Sequence, residues 1–258
     1  MNSSAIWSRP ANAWRRRAAR WLTRRPFTIP AGGALVSFTF DDFPRSAFLV
    51  GGAILEDFGF RGTYYASLGL AGSDSEGGEL FHPADLTALL LRGHELGCHT
   101  FDHCPSWSTQ PARFEASVIR NATELASHSP SARFRTLSYP IDYPRPETKL
   151  RVSQRFACCR GGGQTFNTRT VDLNYLASFF LEQSRDRYDV IQNTLEANNT
   201  SGGWLIFSTH EVSENPTRFG CTPTFFRRVV ECVAASGVQV LPVFEALKQL
   251  KARAAHES

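Results

Sequence analysis

The sequence predicts a single α/β domain of seven or eight parallel strands with helical crossovers, and three observations predict it. Short apolar runs alternate with helix-like segments along the chain, the pattern of parallel strands joined by helical crossovers. Several runs, such as 35–40 and 205–207, are nearly all apolar, as expected for strands covered on both faces. Three of them end abruptly in side chains that bind metals or carry protons. In such folds the chemistry projects from the C-terminal ends of the strands.

The chain has 258 residues, of which 42% are hydrophobic, enough for a full α/β barrel. Residues 1–30 read as a basic arm and 31–258 as the barrel. The arm holds seven arginines (9, 15, 16, 17, 20, 24 and 25), and no acidic residue precedes Asp41. Taking those seven from the 28 Lys and Arg leaves 21 against 24 Asp and Glu, so the body is mildly acidic. It lacks the basic footprint that nucleic acid requires. Trp7, Trp14 and Trp21 recur every seven residues and share one face of a helix with Ala11, Ala18 and Leu22. Arg9, Arg16, Arg20 and Arg24 fall opposite, while Arg25 breaks the pattern. This division suits peripheral contact of residues 1–26 with an anionic membrane. A frayed tail, a helix capping the barrel and an organellar transit peptide remain the other readings of the same residues.

Strands are expected at 34–40, 62–67, 94–98, 134–139, 156–159, 204–208 and 238–241. Helices are expected at 46–58, 83–91, 111–127, 146–154, 187–198, 222–235 and 243–251, several opening on a proline that fits the first turn. Residues 72–78 read as a surface loop. There is no repeat, no interdomain linker and no apolar run of about 18 residues that would cross a membrane. The six cysteines form no CxxC pair, and Cys158 and Cys159 are adjacent, so they read as reduced thiols in a reducing compartment.

The three tipped strands define the candidate site. Asp41 and Asp42 follow the first strand, where a turn before Pro44 is the plainer explanation. His99 and His103 are four apart, so a helical turn after the third strand would bring both imidazoles to one side. With Asp42 they would give a metal three protein ligands and an open fourth position. His210 ends the strand at 204–208, placed to donate a proton near neutral pH. Glu211 beside it reads as a solvent residue.

Thr39-Phe40-Asp41-Asp42, His99-Thr100-Phe101-Asp102-His103 and a strand ending in His210 together resemble the polysaccharide deacetylase family, with its NodB homology domain. The resemblance runs from about residue 34 to 245. It implies a distorted (β/α) barrel and a single divalent metal, zinc being the expected ion, held by Asp42, His99 and His103. It also implies Asp41 as general base and His210 as general acid. Two positions depart from the family pattern. Phe43 stands where the first motif usually ends in glycine, which would make the loop beside the metal bulkier. Ser138 stands where an arginine usually orients the base, so Arg160 is the candidate replacement. By analogy the Ile141 amide would face the oxyanion.

The implied activity is hydrolysis of an N-acetyl group on an amino-sugar glycan or lipid-linked sugar precursor. O-deacetylation, deformylation and small-amide C–N hydrolysis fit the same chemistry, because metal assistance does not dictate the acyl group. A non-catalytic glycan-binding scaffold is the reading from a different class. With the basic arm and no secretory signal, the expected location is cytoplasmic, peripheral at the inner membrane face. Phe43, Tyr64, Tyr65, Trp107, Tyr139 and Tyr143 are candidate sugar platforms, with packing the commoner role for each.

Overall fold

The computed structural model describes residues 21–141 and 143–256. Its frame is a parallel sheet of β1 (Leu35–Phe40), β2 (Thr63–Ala66), β3 (Glu95–Cys98), β4 (Thr136–Ser138), β5 (Cys158–Arg160), β6 (Phe179–Phe180), β7 (Trp204–Thr209) and β8 (Gln239–Val240). Neighbours run β6-β7-β1-β2-β3-β4-β5, so the late strand β7 returns beside the first. All six residues of β1 are buried, which is why its sequence is apolar rather than alternating.

The distortion lies at β1. One edge pairs with β7 from Leu35 to Phe40. The other is divided, Leu35 and Val36 pairing with β8, Thr39 and Phe40 with β2. Residues 173–180 span from β5 to β7: Cys159 N–H donates to Leu173 O and Gly161 N–H to Leu176 O, and β6 then joins β7. The two-residue β6 was not expected, because Phe179-Phe180 is too short to register as a periodic run.

All seven expected strands and seven expected helices are present within a few residues. Pro83–Leu91, Pro111–His128, Pro146–Val152 and Pro223–Ala235 begin on their prolines, where the missing N–H would have had no helical partner. The first crossover starts as a π-helix, Ala47–Gly52, before Ala53–Asp57 continues as α-helix. Gly52 allows that approach, since a Cβ there would lie 2.9 Å from the Tyr64 hydroxyl. The expected loop at 72–78 holds a small hairpin, Asp74–Ser75 against Gly78–Glu79.

Around the first residues of β1 and β7 sits a second apolar cluster, with Leu35, Trp204, Ile206, Val171, Leu247 and Leu250. The Val243–His256 helix and the antiparallel pair Pro26–Thr28/Thr170–Asp172 supply it. The expected arm therefore ends sooner than residue 30. Lys149 Nζ donates to Leu22 O (2.7 Å) and Asn174 Nδ2 to Thr23 O (3.0 Å). Arg25, the arginine outside the helical pattern, donates to the carbonyls of Ser153, Phe156, Ala157 and Leu173. Its misfit on the amphipathic wheel has a physical reason, because it belongs to the domain. Trp7, Trp14 and Arg9, 15, 16, 17 and 20 lie outside the described residues. Among the described residues no helix is long and apolar enough to cross a membrane. All six cysteines are free thiols, five of them buried.

Candidate active site

The expected site residues converge on the ends of β1, β3, β5 and β7. Asp41 extends the ladder, its N–H donating to Thr209 O at 2.9 Å. The backbone then turns left-handed at Asp42 and Phe43, with φ of 60° and 54°. Adjacent side chains on a strand point to opposite faces, and this turn frees the second carboxylate from that alternation. Thr100 and His103 (φ 62° and 48°) make a similar turn after β3, and Ile141 (φ 65°) after β4. The helical turn expected between His99 and His103 is absent; a left-handed turn, with Cys104 N–H donating to Thr100 Oγ1, brings the imidazoles together instead. Five of the eight described non-glycine residues with positive φ lie in these three turns, and such strain collects where function requires it.

Asp42, His99 and His103 bring ligand atoms within 4.8 Å of one another. Asp42 Oδ1 lies 3.1 Å from His103 Nε2 and 3.4 Å from His99 Nε2, yet it is buried and accepts no hydrogen bond. His99 Nδ1–H donates to Ser138 O (2.8 Å), which leaves Nε2 directed at Asp42. Burial, with repulsion from His99, pushes His103 down to about 4, so its imidazole is neutral near pH 7. Against burial, Asp42 and Asp41 hold His99 above its ordinary value. An orphaned carboxylate oxygen between two imidazole nitrogens is a donor set that could hold a divalent cation.

Asp41 is 5% exposed and Arg160 1%. Arg160 Nη2 bonds Asp41 Oδ1, and its guanidinium lies 4.7 Å over the Tyr65 ring. Ser208 Oγ donates to Asp41 Oδ2 at 3.4 Å. Burial alone would raise the Asp41 carboxyl, but Arg160, His99 and His210 hold it well below the usual carboxylate range. The guanidinium missing at position 138 therefore reaches Asp41 from β5, while Ser138 contributes its carbonyl to His99. Sequence reasoning passed over Ser208, and it read Tyr65 as a sugar platform or packing residue rather than as a partner of Arg160. Ser208 lies on β7 two residues before His210, which stands just past the strand's end, and that spacing was the available signal.

His210 Nε2 lies 4.0 Å from Asp42 Oδ2, and its Nδ1 donates to Phe219 O (3.3 Å). Ile141 is 69% exposed at the turn after β4. Glu211 is not a solvent residue: it is 2% exposed, and its Oε1 accepts the Thr217 N–H. Phe43 does not crowd the site. Its ring is fully buried, 4.8 Å from Phe81 and 5.1 Å from Tyr64, because the left-handed turn swings it into the core. Of the aromatic platforms, Tyr64, Tyr65 and Tyr139 are buried as packing, whereas Trp107 and Tyr143 are half-buried.

Residues 29–155 match the family model described as polysaccharide deacetylase. No protein of curated function matches the sequence. Among solved structures, the chain is similar to the chitin deacetylase of the fungal pathogen Colletotrichum lindemuthianum, with 15% identity, a TM-score of 0.61, and coverage of 85% of this chain and 89% of that one. It is also similar to a family 4 acetyl xylan esterase from Clostridium thermocellum in complex with a cobalt ion (18% identity, TM-score 0.57, 84% and 92% covered). A third is a mutant of BA3943, a CE4 family pseudoenzyme (12% identity, TM-score 0.58, 84% and 68% covered). At these identities the likeness establishes the fold.

Proposed function

Residues 29–155 belong to the polysaccharide deacetylase family, and on that premise we propose a metal-dependent hydrolase that removes an N-acetyl group from an amino-sugar glycan or lipid-linked sugar precursor. One observation carries the reading: the orphaned Asp42 Oδ1 between His99 and His103, with Asp41 and His210 close by. A scaffold that only bound a glycan would have no need of both proton carriers.

Asp42, His99 and His103 would hold one divalent cation, zinc being the ion this donor set suits. Bound there, it supplies Lewis acidity that lowers the barrier to attack by water on an acyl carbonyl. The chain's own residues do the rest. Asp41, fixed by Arg160 and Ser208, accepts a proton from the attacking water through Oδ2, the oxygen Arg160 leaves free. Arg160 keeps that carboxylate ionised and oriented. His210 delivers a proton from Nε2 to the leaving amine nitrogen while Phe219 O holds Nδ1–H. The Ile141 amide, presented by its left-handed turn, is the proposed oxyanion donor.

The arm supports a substrate on a lipid carrier, with the protein peripheral at the cytoplasmic membrane face. That part rests on composition: tryptophan and arginine without acid across residues 1–26. Its test is deletion of residues 1–20, which spares the docked Leu22–Arg25 contacts. Unchanged partitioning onto anionic vesicles would remove the idea.

The test of the activity pairs metal content with an acyl panel of N-acetylated amino-sugar oligomers, O-acetylated sugars and N-formyl analogues. About one equivalent of metal, with turnover on the N-acetyl substrates, is expected. Turnover only on esters would reassign the acyl linkage, and no metal after reconstitution would sink the hydrolase reading.

A further inference from the structure

We propose that buried Glu211 and half-buried Arg185 form a clamp that positions His210, an inference that rests on His210 being the proton donor.

His210 has a 20% exposed side chain, and it takes its orientation from one carbonyl. Phe219 O accepts from His210 Nδ1, His210 N and Thr209 Oγ1, each at 3.3 Å. That carbonyl sits in the 213–220 loop, which is exposed at Glu214, Asn215, Arg218 and Phe219. The Val212–Cys221 bridge fixes its ends, Cys221 N–H donating to Glu211 O and Ser213 N–H to Cys221 O, but between those points no strand or helix holds the Phe219 carbonyl in register.

Two part-buried side-chain contacts hold that stretch. Glu211 turns its carboxylate under the loop, where Oε1 accepts the Thr217 N–H. Arg185, reaching from the end of the Leu181–Ser184 turn, donates through Nη2 to the carbonyls of Thr217 and Gly220. Both contacts are charge-assisted, the stronger kind of hydrogen bond. They grip the backbone on either side of Phe219, so its carbonyl has little freedom to move. Close packing shows the same design. A Cβ at Gly220 would overlap Glu211 Cδ and Cγ, and one at Gly77 would lie 2.9 Å from Glu211 Oε2. Gly220 has no positive φ, so it is there for space. Residue 211 thus acts on its neighbour indirectly, through six residues of loop and back.

A merely structural Glu211 would lower all activities together. A clamp on the acid has a different signature, because an amine needs protonation to leave and a nitrophenolate does not. The experiment compares His210→Ala, Glu211→Gln and Arg185→Lys on an N-acetylated amino-sugar oligomer and on 4-nitrophenyl acetate. The wild-type metal stoichiometry serves as the folding control. His210→Ala is expected to lower amide kcat about a hundredfold and ester kcat far less. Glu211→Gln and Arg185→Lys are expected to lower amide kcat about tenfold, with KM little changed. Nitrogen-15 spectra of the metal-free protein give a readout independent of turnover. The His210 Nδ1–H should be protected in wild type and exchange-broadened in both clamp variants. Equal losses on amide and ester, with the Nδ1–H still protected, would overturn the clamp. If His210→Ala itself failed to discriminate between amide and ester, the proton-donor reading beneath it would fall instead.

Discussion

The two ends of the barrel both bury charge, and they treat it in opposite ways. At the N-terminal end Asp172 has every oxygen in use: Oδ1 accepts from Arg25 N and Asn174 N, and Oδ2 from Lys149 Nζ at 2.7 Å. Glu95 likewise accepts from Thr63, Thr136 and the Phe244 N–H. At the C-terminal end Asp42 Oδ1 is buried with no donor, and the backbone carrying it is left-handed. A chain that can satisfy Asp172 so fully is able to satisfy Asp42 as well. Arg25 Nε at the N-terminal end is also without a partner, so it is the grouping of the Asp42 oxygen with two imidazole nitrogens that sets the C-terminal end apart.

The sharpest way to break this comparison is to remove the ligands. Asp42→Ala and His99→Ala should each abolish metal binding and lower turnover by about a hundredfold or more, since altering a ligand's orienting partner alone costs 10–100-fold. Metal analysis beside kinetics reads both, and retention of metal by either variant would contradict the site. At the other end, Lys149→Met leaves Asp172 Oδ2 without its cation. It should cost about 3–5 kcal/mol of stability, seen in denaturant midpoints, while kcat of the folded fraction stays at wild type. A matching loss of metal would dissolve the division between the ends.

Phe43→Gly tests where strain and packing meet. Relief of the left-handed turn is worth about 1–2 kcal/mol, while emptying an aromatic core position costs about 3–5 kcal/mol. A net loss of about 2 kcal/mol is the expected outcome, with metal stoichiometry intact. A gain in stability would mean the ring packs less well than its distances imply.

The last test concerns Glu182, whose Oε2 is another buried atom without a donor. Burial, with Asp41 nearby, pushes its carboxyl up to about 8. Because the folded value exceeds the unfolded one, the folded state holds the proton longer. Glu182 therefore subtracts from stability as pH rises from about 4.5 toward 8. Glu182→Gln should remove that slope and stabilise the protein more at pH 8 than at pH 5, as thermal melts at the two values would show. Equal melting shifts at both would mean Glu182 is ionised throughout.

Much of this was legible in the chain, for local reasons. Apolar runs and proline-led helices located all seven long strand–helix units, since burial on both faces and the first helical turn each impose their own residue types. That Asp41, Asp42, His99, His103 and His210 would come together was legible because each lies at or within five residues of a strand end, and a barrel gathers its strand ends at one rim. Arg160 was a candidate on the same ground.

What required the tertiary structure was every relation that depends on a turn or a long-range contact. The direction of Phe43, into the core rather than over the site, follows from two successive left-handed residues that nothing in their identity announces. Glu211 looked like solvent because its partners, Thr217 and the glycines at 77 and 220, meet it only when two loops close together. Arg25 looked like part of a membrane arm because four carbonyls some 130 residues away are invisible to composition. The sequence by itself determined which residues would stand at the rim of the barrel. Tertiary structure decided which of their atoms are satisfied and which are left waiting, because hydrogen-bond satisfaction is settled by three-dimensional neighbours rather than by residue type.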